Sequence, residues 1–361
     1  MNITKLQNAY FALYEKGKHY LIARNIKSIT EKNTDSNFTL SKEQERQARD
    51  FWKPYYGKFS TVFHSFYTNK NGVFAPEYLP TDIYLNVVDE YFNSRVGSHV
   101  MDNKCYYPIL FGPANICQPK TVAMRMNGFW YDENMSRIDK DALRERLNQQ
   151  SAVFVKKATY SYGGLGVLYI DSVGGEIYAQ TMESTKNWQE DIVIQQPVKQ
   201  HALIGAINES SVNTLRIISL LTDEGVKIYT TLLRMGVAGA KVDNGSSGGI
   251  ACGIADDGCL KKFAYRVSGE KMVKHPTSGL VFEGYKLPGM ESARQLVEKA
   301  HPMLPHFRLA TWDIAIDEQG NAVMIEVNLA KGGLEFPQLT NGPLFGADTK
   351  KILDEVFGLK E

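Results

Sequence analysis

The sequence lacks the features that announce several common chemistries. Its four cysteines (Cys105, Cys117, Cys252 and Cys259) form no C-x-x-C pair and no Cys/His knuckle, so they read as reduced, mostly buried thiols. No stretch approaches the ~18 apolar residues of a membrane helix. Lys5, Glu15, Lys16 and Lys18 interrupt any signal-peptide core, so a cytoplasmic location is expected. No early strand leads into G-x-G-x-x-G and no G-x-x-x-x-G-K-[ST] loop occurs, which argues against a dinucleotide-binding opening and a P-loop. The seven histidines form no H-x-x-x-H helix, no G-x-S-x-G elbow is present, and Cys117 has no base close in sequence, so covalent serine or cysteine catalysis is disfavoured. An excess of one charge is also missing. Lys plus Arg number 41 against 40 Asp plus Glu, which gives no electrostatic case for a nucleic-acid partner.

At 361 residues the chain is long enough for two or three packed subdomains. Residues 1–100 read as a polar, helical and aromatic region, with Ser41 and Gln44 spaced as a capping box. Within it, Leu6, Tyr10, Leu13 and Tyr14 suggest a helical stripe flanked by Lys16, Lys18, His19, Arg24 and Lys27, a pattern compatible with peripheral contact to an anionic membrane as well as with packing on the protein's own surface. After about residue 101 short apolar runs alternate with glycine-rich turns: 121–126, 152–156, 166–170, 191–195, 215–221, 227–234, 311–316 and 322–328. Helical patterns lie near 139–150 and 291–301. Hairpins with intervening helices predict an α+β fold, divided at about 101–190 and 191–361.

The most informative segment is 311–328, TWDIAIDEQGNAVMIEVN. Read as a hairpin about 317–320, it puts Trp312, Ile314 and Ile316 on one face and Asp313 and Ala315 on the other. Simple alternation assigns Val323, Ile325 and Val327 to one face of the second strand and Met324, Glu326 and Asn328 to the opposite one. Asp313, Glu326 and Asn328 then converge. Two carboxylates about 5 Å apart repel by roughly 3 kcal/mol at an effective dielectric near 20, so the pair needs compensation. A hard cation such as magnesium supplies it through oxygen ligands, and no His or Cys nearby suggests zinc. A solvated acidic hairpin face is the alternative.

Upstream, AVFVKKATYSYGGLGV (152–167) is a strand ending in Lys156 and Lys157, followed by a loop with Ser161, Gly163, Gly164 and Gly166. Such glycines let backbone N–H groups approach phosphate oxygens, although an ordinary glycine hairpin looks the same. The strand DIVIQQPV (191–198) offers backbone groups at Gln195, Gln196 and Val198 to a base edge. Arg216 and, on the partner strand, Arg234 suit the growing charge of a transferring phosphoryl group. A polar loop, Asp243 to Gly249, follows.

In this order the elements resemble the ATP-grasp fold: a lysine before a glycine lid, a Q-Q-P-V hinge, N-T-L-R, a second arginine and D-x12-E-x-N. SVNTLRIISL, LLRMGVAGAKVDNGSSGGI and the D…E-V-N end are similar to the sugar-transfer-associated ATP-grasp family of bacterial surface-polysaccharide synthesis, over about residues 100–345. The resemblance implies ATP and magnesium, with two ions expected. Lys104 and Lys156 match the nucleotide lysines, with Lys157 as the competitor of Lys156. Ser161, Gly163, Gly164 and Gly166 fall in the lid, Gln195, Gln196 and Val198 in the adenine hinge, and His201 near the ribose. Arg216 and Arg234 match phosphate and intermediate contacts, and Asp313, Glu326 and Asn328 the metal ligands. The implied activity is carboxylate–amine ligation through an acylphosphate, with an amino acid and a sugar acid as candidate substrates. Phosphotransfer on the same fold, and nucleotide binding without catalysis, remain open as alternatives.

Overall fold

The computed structural model describes residues 30–57, 59–159 and 166–359, with Arg24, Lys27 and Ser28 ahead of them. The stripe of Leu6, Tyr10, Leu13 and Tyr14, and the lid residues Ser161, Gly163 and Gly164, lie outside the described residues. The chain divides into two compact units, one of residues 1–92, 267–271 and 333–361, the other of 93–266 and 272–332.

The second unit is built on two antiparallel sheets. The first contains β1 (Thr121–Met126), β2 (Phe129–Tyr131), β3 (Arg137–Ile138), β4 (Ala152–Lys157), β5 (Val167–Asp171) and β6 (Ile192–Gln195), in the order β3-β2-β1-β6-β4-β5. The second includes β7 (Thr214–Thr222), β8 (Gly225–Met235), β9 (Ile250–Ile254), β10 (Leu260–Tyr265), β11 (Leu309–Ile316) and β12 (Ala322–Asn328), running β10-β9-β8-β7-β11-β12. All eight apolar runs form strands, and the architecture is α+β as expected. The strands β2, β3, β9 and β10 lie outside those runs: β2 and β3 are only three and two residues long, Gly253 interrupts β9, and Lys261 and Lys262 interrupt β10.

Each sheet buries one face under a helix. Asp139 caps the helix Lys140–Asn148 by accepting from Ala142 N, and Leu143 and Leu147, four apart, pack with Val122, Val153, Val155, Ile192 and Ile194. Under the second sheet the helix Met290–Ala300 presents Ala293, Leu296, Val297 and Ala300 to Trp312, Ile314 and Met324. Its start crowds the β11–β12 hairpin. Gly289 has φ +72°, and a Cβ there would fall 2.7 Å from Ile316 Cγ2 and 2.9 Å from the Gly320 carbonyl oxygen, so only glycine admits this approach. In the other unit, aromatic side chains Trp52, Phe63, Tyr67 and Tyr78 are buried, the Ser41–Gln44 capping box is formed, and Gln338 clips the Leu79 backbone with bonds of 2.9 Å at both N–H and C=O.

The β11–β12 register places Asp313 opposite Glu326 and Ile314 opposite Met324, so Ile325 is an extra residue, a bulge. The bulge corrects the simple alternation. Ala322, Met324 and Val327 join Trp312, Ile314 and Ile316 in the core, whereas Ile325 turns to the same side as Glu326 and lines the cleft described below. Behind this hairpin the Trp312 Nε1–H donates to Ser219 Oγ at 2.8 Å, the Ser219 hydroxyl lies 2.8 Å from His301 Nδ1, and His301 Nε2 meets the Phe307 carbonyl at 3.0 Å. All three side chains are buried. Ser219→Ala strands the indole N–H and the imidazole nitrogen. A loss of about 2–4 kcal/mol in urea unfolding is expected, and an unchanged midpoint would show the network to be dispensable.

Candidate functional site

Asp313 lies in the middle of the second sheet and is only 3% exposed. A lone carboxylate there would be driven to its neutral form by burial. Arg216, directly opposite on β7, prevents this with a two-pronged pair, Nε to Oδ1 and Nη2 to Oδ2, both 2.9 Å. Arg234 on β8 adds Nη1 to Oδ2 at 2.9 Å. Burial pushes the Asp313 carboxyl up, but the two guanidiniums outweigh it and hold it well below the usual carboxylate range. Arg234 also donates through Nη2 to Asp243 Oδ1 at 2.5 Å, while Asp243 Oδ2 accepts from the Thr214 N–H at 3.2 Å and, through a short bond, from its hydroxyl.

Two lysines approach from the other side. Lys104 is 8% exposed; its backbone N–H donates to the Ala158 carbonyl beside the first sheet, and its ammonium lies 3.1 Å from Glu326 Oε2 on the second. Lys156, on β4, donates to Gln195 Oε1 at 3.1 Å. Burial lowers its pKa to about 8, with Glu326 pulling it up and Lys104 pushing it down. Lys157 points elsewhere, to Glu190 Oε1 at 2.5 Å and over the Trp188 ring. The strand alternation thus separates the two lysines that the sequence left in competition.

A single cleft, about 750 Å³ with its solvent-open space included, joins these groups. Of the residues singled out in the sequence, Lys104, Lys156, Gln196, Val198, Arg234, Asp313 and Glu326 line it. Arg216 and Gln195 stand behind it, through Asp313 and Lys156. His201 caps the turn Ala202–Gly205, accepting from Leu203 N at 3.2 Å. Gly166 closes the β4–β5 ladder, its carbonyl accepting from Lys157 N at 2.8 Å. Among the lining residues not singled out are Phe154, Thr214, Lys241, Asp243 and Ile325. The ion pair of Asp243 had no sequence signal beyond an acid in a glycine-rich loop. Two of the four cysteines are buried, Cys105 and Cys252, while Cys117 is exposed.

Among the described residues no three His, Cys, Asp or Glu gather into a metal cluster; the expected ligand set is instead two carboxylates and an amide. Register puts them on one face: Thr311 opposite Asn328, Asp313 opposite Glu326. The donor atoms are hard oxygens, and beside them the Asn328 amide nitrogen is shut from solvent with no hydrogen-bond partner. The residues fit magnesium.

Two antiparallel sheets hold cations and carboxylates across one cleft, the arrangement expected of an ATP-grasp protein. The family model described as "Sugar-transfer associated ATP-grasp" matches residues 88–353, and the chain belongs to that family. Solved structures similar to it include D-alanyl-alanine synthetase A from Vibrio cholerae O1 biovar eltor str. N16961 (13% identity, TM-score 0.42, 71% of this chain and 66% of that one). The D-alanine-D-alanine ligase from Coxiella burnetii (9%, 0.41, 72% and 59%) and the L-amino acid ligase from Bacillus licheniformis (13%, 0.40, 71% and 47%) are also similar. The chain therefore spans less than two thirds of the length of each of these three. No curated protein matches it closely enough to count as a relative. Among the described residues no helix is long and apolar enough to cross a membrane.

Because Asp313 has a depressed pKa, its contribution to stability is present above the ordinary carboxylate value of about 3.9 and is lost as pH falls through the lowered one. Arg216→Met, which breaks a buried pair, is expected to cost about 3–5 kcal/mol in urea unfolding. Asp313→Asn lowers stability too, yet flattens its decline below pH ~4. Equal acid slopes for Asp313→Asn and the unaltered protein would contradict the pairing.

Proposed function

We propose that the chain is an ATP-dependent carboxylate–amine ligase acting through an acylphosphate in this cleft. The observation that carries the reading is the pairing of Asp313 with Glu326 in the same cleft as Lys104, Lys156 and Arg234. Lys104 and Lys156 hold phosphate oxygens, and the backbone at Gln196 and Val198 takes the adenine edge. Arg234, backed by Arg216, offsets the negative charge that grows on the transferring phosphoryl group. Magnesium, held by Asp313, Glu326 and Asn328, would draw charge from the phosphates. A substrate carboxylate oxygen attacks the γ-phosphorus, the bond to the bridging oxygen breaks and ADP leaves. An amine nitrogen then attacks the acyl carbon, the carbon–oxygen bond to phosphate breaks, and the amide forms as the nitrogen loses a proton. No side-chain nucleophile is needed, in keeping with the absent triads. The family's association with sugar transfer favours an amino acid and a sugar acid of a surface polysaccharide as the pair joined, in the cytoplasm.

Glu326→Gln is expected to keep the fold and abolish ADP formation over an acid-plus-amine panel; normal turnover in that variant rejects the metal assignment. ADP release with acid alone, leaving a stable phosphorylated product, would turn the reading to phosphotransfer. Lys156→Gln should weaken ATP binding strongly and Lys157→Gln little. Because the Lys156 ammonium loses its proton near pH 8, ATP affinity should decline as pH rises through about 8. Titration calorimetry from pH 6.5 to about 9.5, bracketing that value, checks it, and a flat profile contradicts the role.

A further inference from the structure

We propose that Asp243 is a positioning residue that holds Arg234 in the cleft, so that an acid lining the site raises its affinity for a polyphosphate; this rests on the nucleotide reading above. A carboxylate on the wall of an anion site should by charge alone repel the ligand. Its geometry argues for the opposite net effect. Asp243 and Arg234 are 6% and 3% exposed, and both line the cleft. The guanidinium is gripped at two of its nitrogens, Nη2 by Asp243 and Nη1 by Asp313, which fixes its plane. Its Nε–H is buried and has no partner, so the guanidinium keeps one donor unused.

The grip is itself held. Thr214 stands opposite Arg234 in the β7–β8 register and donates both its N–H and its hydroxyl to the second oxygen of Asp243, so the carboxylate cannot turn. The loop carrying Asp243 is tightly closed. A Cβ on Gly249 would meet the Asp243 carbonyl oxygen at 2.3 Å, and the Ser247 and Gly249 N–H groups both donate to the Asn244 carbonyl at 3.0 Å. Its opening end is pinned by His275 Nε2 at 2.9 Å from the Gly236 carbonyl and by Ala238 N donating to Thr277 Oγ1 at 2.9 Å. The two acids also differ in their obligations. Asp313 serves Arg216 through two bonds as well as Arg234, and is a proposed metal ligand; among the described ion pairs Asp243 is matched with Arg234 alone. When Asp313 takes up another partner, Asp243 keeps the guanidinium from following it.

The test is titration calorimetry of the full chain with ATP plus magnesium, and separately with adenosine, which lacks phosphates. The proteins are the unaltered chain, D243N, T214V, R234Q and D243N/R234Q. D243N is expected to weaken ATP binding by about 10- to 100-fold with adenosine unchanged, and T214V to weaken it less in the same selective way. The double variant should be no weaker than R234Q, since Asp243 acts through the arginine. Unchanged or tighter ATP binding in D243N overturns the proposal, as do an equal loss for adenosine and additive losses in the double variant. Should D243N fail to fold, T214V, close to isosteric at the side chain, decides by the same criteria. Failure of the unaltered chain to bind ATP sinks the nucleotide reading and this proposal together, whereas ATP binding that D243N leaves intact sinks this proposal alone.

Discussion

A carboxylate in the middle of a sheet, shut away from water, has to be matched by positive charge, and the matching of Asp313 organises much of the second unit. Taking an ion out of water costs several kcal/mol even after relaxation. Here the cost is met by two guanidiniums from β7 and β8, so three neighbouring strands are bound through side chains as well as backbone. Glu326, opposite Asp313, is matched from another direction by Lys104. The cation excess that suits phosphate binding is thus the same set of charges that lets two acids stand side by side.

Geometry follows from smaller devices. The Ile325 bulge turns Met324 into the core and leaves Ile325 and Glu326 on the cleft side, so an apolar surface lies beside the acid instead of beneath it. Gly289 lets a helix press against the hairpin from below, and the Ser219–His301–Trp312 network fills the polar space under Asp313. On the first sheet, alternation along β4 sends Lys156 into the cleft and Lys157 to Glu190. The carboxylate repulsion that in the sequence called for a cation is, in the structure, already offset by Arg216, Arg234 and Lys104. A cation bound to Asp313 and Glu326 would have to displace some of those partners.

Much of this was legible because it depends on period-two patterns and turn residues. The strand runs from Thr121 to Asn328, the 317–320 turn and the convergence of Asp313 with Glu326 all emerge from alternation and hairpin closure. The bulge was not legible, since one extra residue in a run of Val, Met and Ile leaves no mark in composition. Asp243 was hidden for a different reason: its partner Arg234 lies nine residues away across a loop, and only tertiary closure turns a polar loop acid into a buried ion pair. His201, expected near the ribose from its place after the hinge, has an imidazole that caps the following turn, a contact that only the folded loop reveals.

The most direct measurement is a crystal structure with a non-hydrolysable ATP analogue and magnesium. The account predicts the triphosphate between Lys104, Lys156 and Arg234, with the cation on Asp313, Glu326 and Asn328 and the base at Gln196 and Val198. A nucleotide bound elsewhere, or a cation on other side chains while Asp313 stays wholly wrapped by its arginines, would contradict it.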